Sequence, residues 1–159
     1  MIRFINIFAS YVLFLTAPLS QAAGLSWIWS SKNPGGKEQV YFRRDFEVPA
    51  QVVSANLSSS ADNWHRIWVN GKLLGEHRDW QNAAKHDIKK HLKLGGKNVI
   101  AVEAGNDGGS AGLALQLQME MPNKRIIRIN TDETWSFSPN AVAGWEAPDF
   151  NSKSWSRVV

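Results

Sequence analysis

The sequence has no cysteine among its 159 residues. A chain without cysteine has no disulfide framework, no thiolate metal site and no thiol nucleophile, so those classes of function are excluded. Beyond its first residues it also has no apolar run of the roughly 20 residues that a membrane span needs. Its basic residues are mostly scattered among acidic ones, whereas nucleic-acid-binding domains gather them on one stripe. We therefore expect no membrane span in the mature chain and no nucleic-acid partner.

The first residues have the pattern of a secretory signal peptide. Arg3 gives a positive start, an apolar run follows from Phe4 to Leu15, and small residues stand at the expected cleavage positions. The alternative, a membrane anchor, needs a longer run, and Pro18 ends this one too early. We expect residues 1–22 to be removed, residues 23–159 to form one domain, and the mature protein to be secreted or periplasmic.

The stretch from Trp64 to Gly75 predicts a tight β-hairpin. Two apolar, β-prone runs are separated only by Asn70-Gly71, and both residues of a two-residue type I′ turn need the positive φ that Asn and Gly tolerate best. This turn places Trp68 opposite Leu73. Because neither face of the hairpin is clearly polar, it belongs inside a larger sheet whose second face is at least partly covered.

Alternation of apolar and polar residues recurs along the chain. It is cleanest over 112–121, where leucines and methionines face one way and polar residues the other, and it is also present over 40–48. About eight short strands, with turn signals every eight to twelve residues and no convincing long helix, are typical of a β-sandwich. The predicted fold class is therefore all-β, an antiparallel β-sandwich.

Arg44 breaks the alternation, because its parity places it on the apolar face of its strand. It could extend its stem past the core to solvent, or pair inside with a carboxylate such as Glu103. A third interpretation is an arginine that faces a ligand.

Four segments in this order resemble the galactose-binding-like jelly-roll domains, and most closely the sugar-binding and accessory domains of α-L-rhamnosidases and family 2 glycoside hydrolases. They are residues 40–46, 68–72, 94–103 and 131–135. The resemblance implies two antiparallel sheets packed face to face, with the ligand in loops at one end of the sandwich. Those loops vary within the group, so no binding residue is transferred from it, and fold alone does not give function.

Sugar recognition needs an aromatic platform and polar groups for the hydroxyls. Of the eight tryptophans, we expect Trp27, Trp29, Trp68 and Trp135 to fill the core. Two others adjoin polar loops, and with the loop that follows the strand at 97–104 they give the candidate ligand-binding residues: Trp64, His65, Asp79, Trp80, Asn106 and Asp107.

Evidence for catalysis is thin. The four histidines have no metal-binding spacing, and there is no Gly-x-Ser-x-Gly nucleophile motif. Loop carboxylates that could form a glycosidase pair are present, but any globular domain of this size offers such pairs. We expect no enzyme activity and no cofactor. Bound Ca²⁺, common in sandwiches of this type, is possible but is not predicted, because no EF-hand-like spacing occurs.

The favoured hypothesis is an exported, non-catalytic carbohydrate-binding or accessory module. The alternative is a structural or protein-interaction module that packs against a partner or an adjacent catalytic domain, and a small glycosidase-like enzyme is the weakest hypothesis. The spacing of Trp145, Phe150 and Trp155 predicts that the last segment packs its rings back on the sandwich. An open apolar patch around Trp145 and Trp155 would favour the alternative.

Overall fold

The alternating pattern forms ten strands in the computed structural model, which describes residues 24–159; the expected leader lies outside these residues. A single 3₁₀ turn, Lys89–His91, accompanies them. The strands are β1 Glu38–Val48, β2 Ser54–Asp62, β3 Trp64–Val69, β4 Lys72–His77, β5 Ala84–Asp87, β6 Gly96–Asn106, β7 Gly112–Glu120, β8 Ile126–Asn130, β9 Ser136–Ser138 and β10 Ser156–Arg157.

The strands form two antiparallel sheets. One has six strands in the order β10-β9-β1-β6-β3-β4, and the other has four in the order β5-β2-β7-β8. Apolar side chains from the facing sides of both sheets make one continuous core. The predicted antiparallel β-sandwich is therefore confirmed. No helix within residues 24–159 is long and apolar enough to cross a membrane.

The predicted hairpin is present as β3 and β4. Asn70 and Gly71 have φ values of 51° and 78°, and Trp68 lies opposite Leu73 as expected. A register shift between Ile67 and Trp68 then places Ile67 opposite Gly75. Such a bulge strengthens the local twist of the hairpin.

Two of the four tryptophans expected in the core are there. Trp29 and Trp135 are buried, but Trp27 is 55% exposed. The prediction for Trp27 is wrong because its indole packs over Gly112, which leaves much of the ring in solvent. Trp68 is also not between the sheets: it shares the outward parity of its strand and packs on Trp145, with ring centroids 5.3 Å apart.

The last segment, residues 144–155, is called the aromatic tail below. It lies on the outer face of the six-stranded sheet, where the Trp145 ring also contacts Tyr41 at 5.1 Å and Trp155 at 6.1 Å. Arg43 fixes its backbone by donating hydrogen bonds to the carbonyls of Trp145 and Ala147, at 2.6 and 2.8 Å. The prediction that the tail packs its rings back on the sandwich is confirmed.

Arg44 does not pair with Glu103. Tyr41 is opposite Glu103 in the β1–β6 register, so the carboxylate lies on the outer face while Arg44 has the opposite parity. Glu103 instead accepts a hydrogen bond from Arg66 at 3.4 Å. Arg44 reaches the carbonyl of Thr134, with its Nη1 3.5 Å from the oxygen.

Candidate functional site

Four connections meet at one end of the sandwich, which we call the loop end. The start of β1 pairs with Asn106 at the end of β6, and Asp62 at the end of β2 pairs with Gly112 at the start of β7. The antiparallel registers therefore bring together the segments before β1, between β2 and β3, between β4 and β5, and between β6 and β7. These segments are residues 30–37, 63, 78–83 and 107–111.

Asn106 holds two of these loops together. Its side chain is buried, and its Nδ2 donates to the carbonyls of Gly36 at 3.1 Å and Gly109 at 3.4 Å. Its Oδ1 accepts a hydrogen bond from the Gly108 amide at 2.9 Å. Asn106, a sequence candidate for ligand binding, thus uses its amide group to shape the loop that presents Asp107.

Asn63 fixes the neighbouring connection. Its side-chain Oδ1 accepts a hydrogen bond from the backbone amide of Asp107 at 2.6 Å. Its backbone amide donates to the carbonyl of Gly105 at 2.8 Å. These contacts involve the backbone of Asp107 and leave its carboxylate on the exposed side of the loop.

Asp79 organises the 78–83 loop. Its Oδ1 accepts from the amides of Gln81 and Asn82, at 3.0 and 3.3 Å, and its Oδ2 accepts from the Asn82 side chain at 2.7 Å. These hydrogen bonds, of which that from the Asn82 side chain is the strongest influence, lower the pKa of Asp79 below its ordinary value. Asp79 is therefore anionic at neutral pH and holds the loop in shape.

Trp80 is presented by that loop. Its carbonyl accepts a hydrogen bond from the Ser60 hydroxyl at 2.7 Å, and Ser60 has the outward parity of β2. The loop is thereby anchored to the outer face of the four-stranded sheet. The Trp80 indole is 51% exposed, as an aromatic platform for a sugar would need to be.

His65 lies inside the sandwich, only 1% exposed. A hydrogen bond of 2.8 Å joins its Nε2 to the Ser59 hydroxyl, and its ring lies 5.7 Å from that of His77. Burial, with smaller contributions from the charges of His77 and His86, lowers the pKa of His65 to about 4. The imidazole is therefore neutral at pH 7, and it supports the loop end from beneath through Ser59.

Trp64 lies near the loop end but against the other sheet. It has the outward parity of β3, on the six-stranded sheet, and its indole is pressed so closely on Gly105 that a Cβ there would lie 2.1 Å from the ring. The guanidinium carbons of Arg66 and Arg78 lie 5.8 and 5.4 Å from the ring centroid. The sequence candidates Trp64 and Trp80 are thus placed against different sheets.

Trp27 is the aromatic residue at the loop end that sequence reasoning missed. Its indole lies against Gly112, where a Cβ would be 2.7 Å from the ring, and Gly112 pairs with Asp62. No local signal separates Trp27 from the buried Trp29 two residues later, because both belong to the same short apolar run. The two differ in their tertiary contacts, because the Trp29 ring packs on the buried Phe42 with centroids 5.4 Å apart.

Two carboxylates at the loop end have no hydrogen-bond or ion-pair partner among the described residues. They belong to Asp62 and Asp107. Free carboxylates accept hydrogen bonds from hydroxyl groups, and half-exposed indoles offer flat apolar faces. Together with Trp27 and Trp80 they give the loop end the two kinds of contact that a sugar requires.

The described histidines and carboxylates of the loop end do not form a metal site. Within residues 24–159, no group of three or more His, Asp or Glu side chains is arranged to hold a metal ion. Asp62 and Asp107 alone do not form such a set, and no chemical role below depends on a metal.

Comparison with known proteins places the fold among carbohydrate-active proteins. An α-L-rhamnosidase of Streptomyces avermitilis is 31% identical over 87% of this chain and 15% of its own length. The crystal structure of Streptomyces avermitilis α-L-rhamnosidase complexed with L-rhamnose matches with a TM-score of 0.79 and 27% identity, over 84% of this chain and 14% of that one. A lectin of Pleurotus ostreatus has the same fold, with a TM-score of 0.71 and 23% identity over 84% of this chain and 40% of the lectin.

No protein-family model matches the chain. The chain spans about one seventh of the rhamnosidases that it resembles, so the similarity is to one of their domains and not to the whole enzyme. The resemblance to galactose-binding-like domains, which the four sequence segments indicated, is confirmed.

Proposed function

We propose that this galactose-binding-like domain is an exported, non-catalytic carbohydrate-binding module whose loop end holds the sugar. The observation that carries the proposal is the presentation of Trp80. The loop that carries this half-exposed indole is fixed by hydrogen bonds of Asp79 and Ser60 to its backbone. It lies at the end of the sandwich where the carboxylates of Asp62 and Asp107 have no partner among the described residues.

The chemistry of the loop end suits a neutral sugar. The apolar face of a pyranose packs on an indole, and its hydroxyls donate to carboxylate oxygens. The 78–83 and 107–111 loops are fixed by hydrogen bonds before any ligand binds. Little conformational entropy is therefore lost on binding. L-Rhamnose is the first ligand to test, because the Streptomyces avermitilis α-L-rhamnosidase, 27% identical to this chain, was crystallised with it.

A non-catalytic role agrees with the small share of the rhamnosidases that the chain matches. In this proposal the domain brings a glycan close to a catalytic domain, on the same chain or on a partner. An open apolar patch around Trp145 and Trp155 would favour the alternative, an interaction module. Trp145 is only 7% exposed, and we propose no second function.

Isothermal titration of the purified protein with L-rhamnose and with a panel of galactose-containing glycans tests the proposal. Each titration is run with and without a chelator. We expect saturable binding that is weakened about tenfold by Trp80→Ala, since aromatic stacking contributes about 0.5–1.5 kcal/mol beyond the buried area of the ring. Trp27→Ala should act in the same direction.

Trp64→Ala is the matched control, because it removes a ring of the same size from the other sheet. The proposal predicts a smaller effect for Trp64→Ala than for Trp80→Ala. The reverse order would move the site to the six-stranded sheet. An absence of binding across the whole panel would contradict the carbohydrate-binding function.

Export is proposed on the pattern of residues 1–22 and has its own test. The protein expressed from the full sequence should be recovered from the periplasm or the medium, with an N-terminus at Ala23 or Gly24. Recovery in the cytoplasm with Met1 and the leader retained would contradict export.

A further inference from the structure

We infer that the chain has a second binding site, a basic groove that takes the carboxylate of an acidic sugar. The groove lies between β1, the start of β9 and the aromatic tail, and its volume is about 590 Å³. This volume falls within the range of about 300–1,000 Å³ that is typical of small-molecule sites. It is separate from the loop end, because it is built on Thr134, Ser136 and the tail, none of which belongs to the four loops there.

The groove carries an excess of positive charge. Five cationic side chains line it, against the two carboxylates of Asp45 and Asp149; the cationic residues are Arg43, Arg44, Lys97, Lys153 and Arg157. Asp45 is already paired with Arg43 at 3.1 Å and with Lys97 at 3.2 Å. Among residues 24–159, no ion pair involves Arg44, Lys153 or Arg157. These three charges are available to an anionic ligand.

Two of these guanidinium groups converge on one neutral acceptor. Arg44 and Arg157 both donate to the carbonyl of Thr134, at 3.5 and 2.6 Å. A guanidinium has five N–H donors, so among the described residues most donors of this pair are unused. The buried Nε of Arg44 has no partner within residues 24–159 either. The flat fork of N–H groups matches a carboxylate, which it binds through two parallel hydrogen bonds.

The wall of the groove fits a sugar ring. Phe150 and Trp155, which pack edge to face with centroids 5.8 Å apart, line it on the side of the tail. Arg43 stacks on Phe150, with its guanidinium carbon 5.5 Å from the ring centroid. Arginines beside an aromatic wall suit a pyranose that bears a carboxylate, that is, a hexuronate in an acidic glycan.

The test compares two ligands that differ only in the methyl-esterification of their carboxylates. The purified protein is titrated with short α-1,4-linked D-galacturonate oligomers and with the same oligomers fully methyl-esterified. The inference predicts saturable binding of the acid and at least about tenfold weaker binding of the ester, because the ester lacks the charge that strengthens these hydrogen bonds. Equal binding of acid and ester would overturn it, as would no binding of the acid.

Variants locate the site. The double variant Arg44→Gln/Arg157→Gln should weaken binding of the acid about tenfold or more. The matched control Arg125→Gln/Arg128→Gln removes the same charge from exposed positions at β8 and should leave binding within about twofold, since distant surface charges are screened. An equal loss in both double variants would show non-specific charge attraction and overturn the assignment.

Lys153→Gln is a second variant, at an exposed position, and it serves if the double variant does not fold. It should weaken binding of the acid about threefold, through loss of one partly screened charge. Trp80→Ala should leave binding of the acid unchanged. Failure of the neutral-sugar site and failure of this groove are therefore distinguishable, since each has its own ligand and variant.

Discussion

The loop end and the aromatic tail use the same residue types for different purposes. Both regions are rich in tryptophan and polar side chains, yet Trp80 at the loop end is 51% exposed and Trp145 in the tail is 7% exposed. The loops of the loop end are held together by hydrogen bonds, so its aromatic rings remain partly in solvent. The tail is closed by its rings, which pack on Tyr41 and Trp68. The exposure of a tryptophan, rather than its presence, therefore separates a platform for a ligand from a packing contact.

The packed rings of the tail should contribute strongly to the stability of the fold. Trp145→Ala should lower the free energy of unfolding by about 3–5 kcal/mol, because it removes a buried ring and leaves a cavity. Urea unfolding followed by circular dichroism measures the change. Trp27→Ala, at an exposed position, is the control and should cost less than about 1 kcal/mol. A loss below about 1 kcal/mol for Trp145→Ala would mean that the tail is not held as described.

The hydrogen bonds from Arg43 to the tail can be compared with the tail rings in how much they stabilise the fold. Arg43→Ala removes the donors of two carbonyls and the partner of Asp45, and we expect a loss of about 2–3 kcal/mol. Arg43→Lys should recover less than half of it, because an ammonium cannot serve both carbonyls and the carboxylate in the same geometry. Full recovery by lysine would show that only the charge is needed.

His65, which supports the loop end, should make the stability of the folded protein depend on pH. Its pKa is about 4 in the folded protein and about 6.5 when unfolded, so the unfolded chain binds more protons between these values. Stability should therefore fall as the pH falls through this window, by about 2 kcal/mol between pH 7 and pH 5.

The pH effect is measured as the difference in urea unfolding free energy between pH 7 and pH 5. In His65→Gln, which can still hydrogen-bond to Ser59 but does not titrate, the difference should shrink by about 1–2 kcal/mol. His86, whose pKa burial and His77 also lower, should account for part of the remainder. An unchanged difference in His65→Gln would contradict the burial of a neutral imidazole.

Trp80→Ala should have the smallest effect on stability, within about 0.5 kcal/mol, since its loop is held by Asp79 and by the Trp80 carbonyl. Thermal unfolding of the variant measures this directly. A loss above about 2 kcal/mol would place the indole among the packing contacts and remove the contrast with the tail.

The sequence predicted the fold more fully than the site. The turn at Asn70-Gly71 and the alternation over 112–121 are local signals, since each reflects a backbone or parity requirement of its own residues. The bulge between Ile67 and Trp68 is not local, because it depends on how β3 fits between β4 and β6.

The candidate site depended on contacts between distant segments. In the sequence Asn106 and Asp79 are polar residues of predicted loops, but only the fold shows that their side chains bond to neighbouring backbone groups. Trp64 lies in a strand of the six-stranded sheet, whereas Trp80 is carried by a loop that is anchored to the other sheet through Ser60. The sequence shows the strand but not the path of the loop. The only sequence signal for the basic groove was Arg44. Its hydrogen-bond acceptor, the carbonyl of Thr134, lies 90 residues later in the chain.

The proposed sugar site at the loop end is tested most directly by two-dimensional ¹H–¹⁵N spectra of the indole groups, recorded during titration with L-rhamnose. The eight tryptophans give separate signals, which report which rings meet the sugar. We expect the indole signals of Trp80 and Trp27 to shift in a saturable way. Those of Trp29, Trp135 and Trp145 should stay unchanged. Shifts confined to the tail, or to Trp64, would contradict the proposed sugar site.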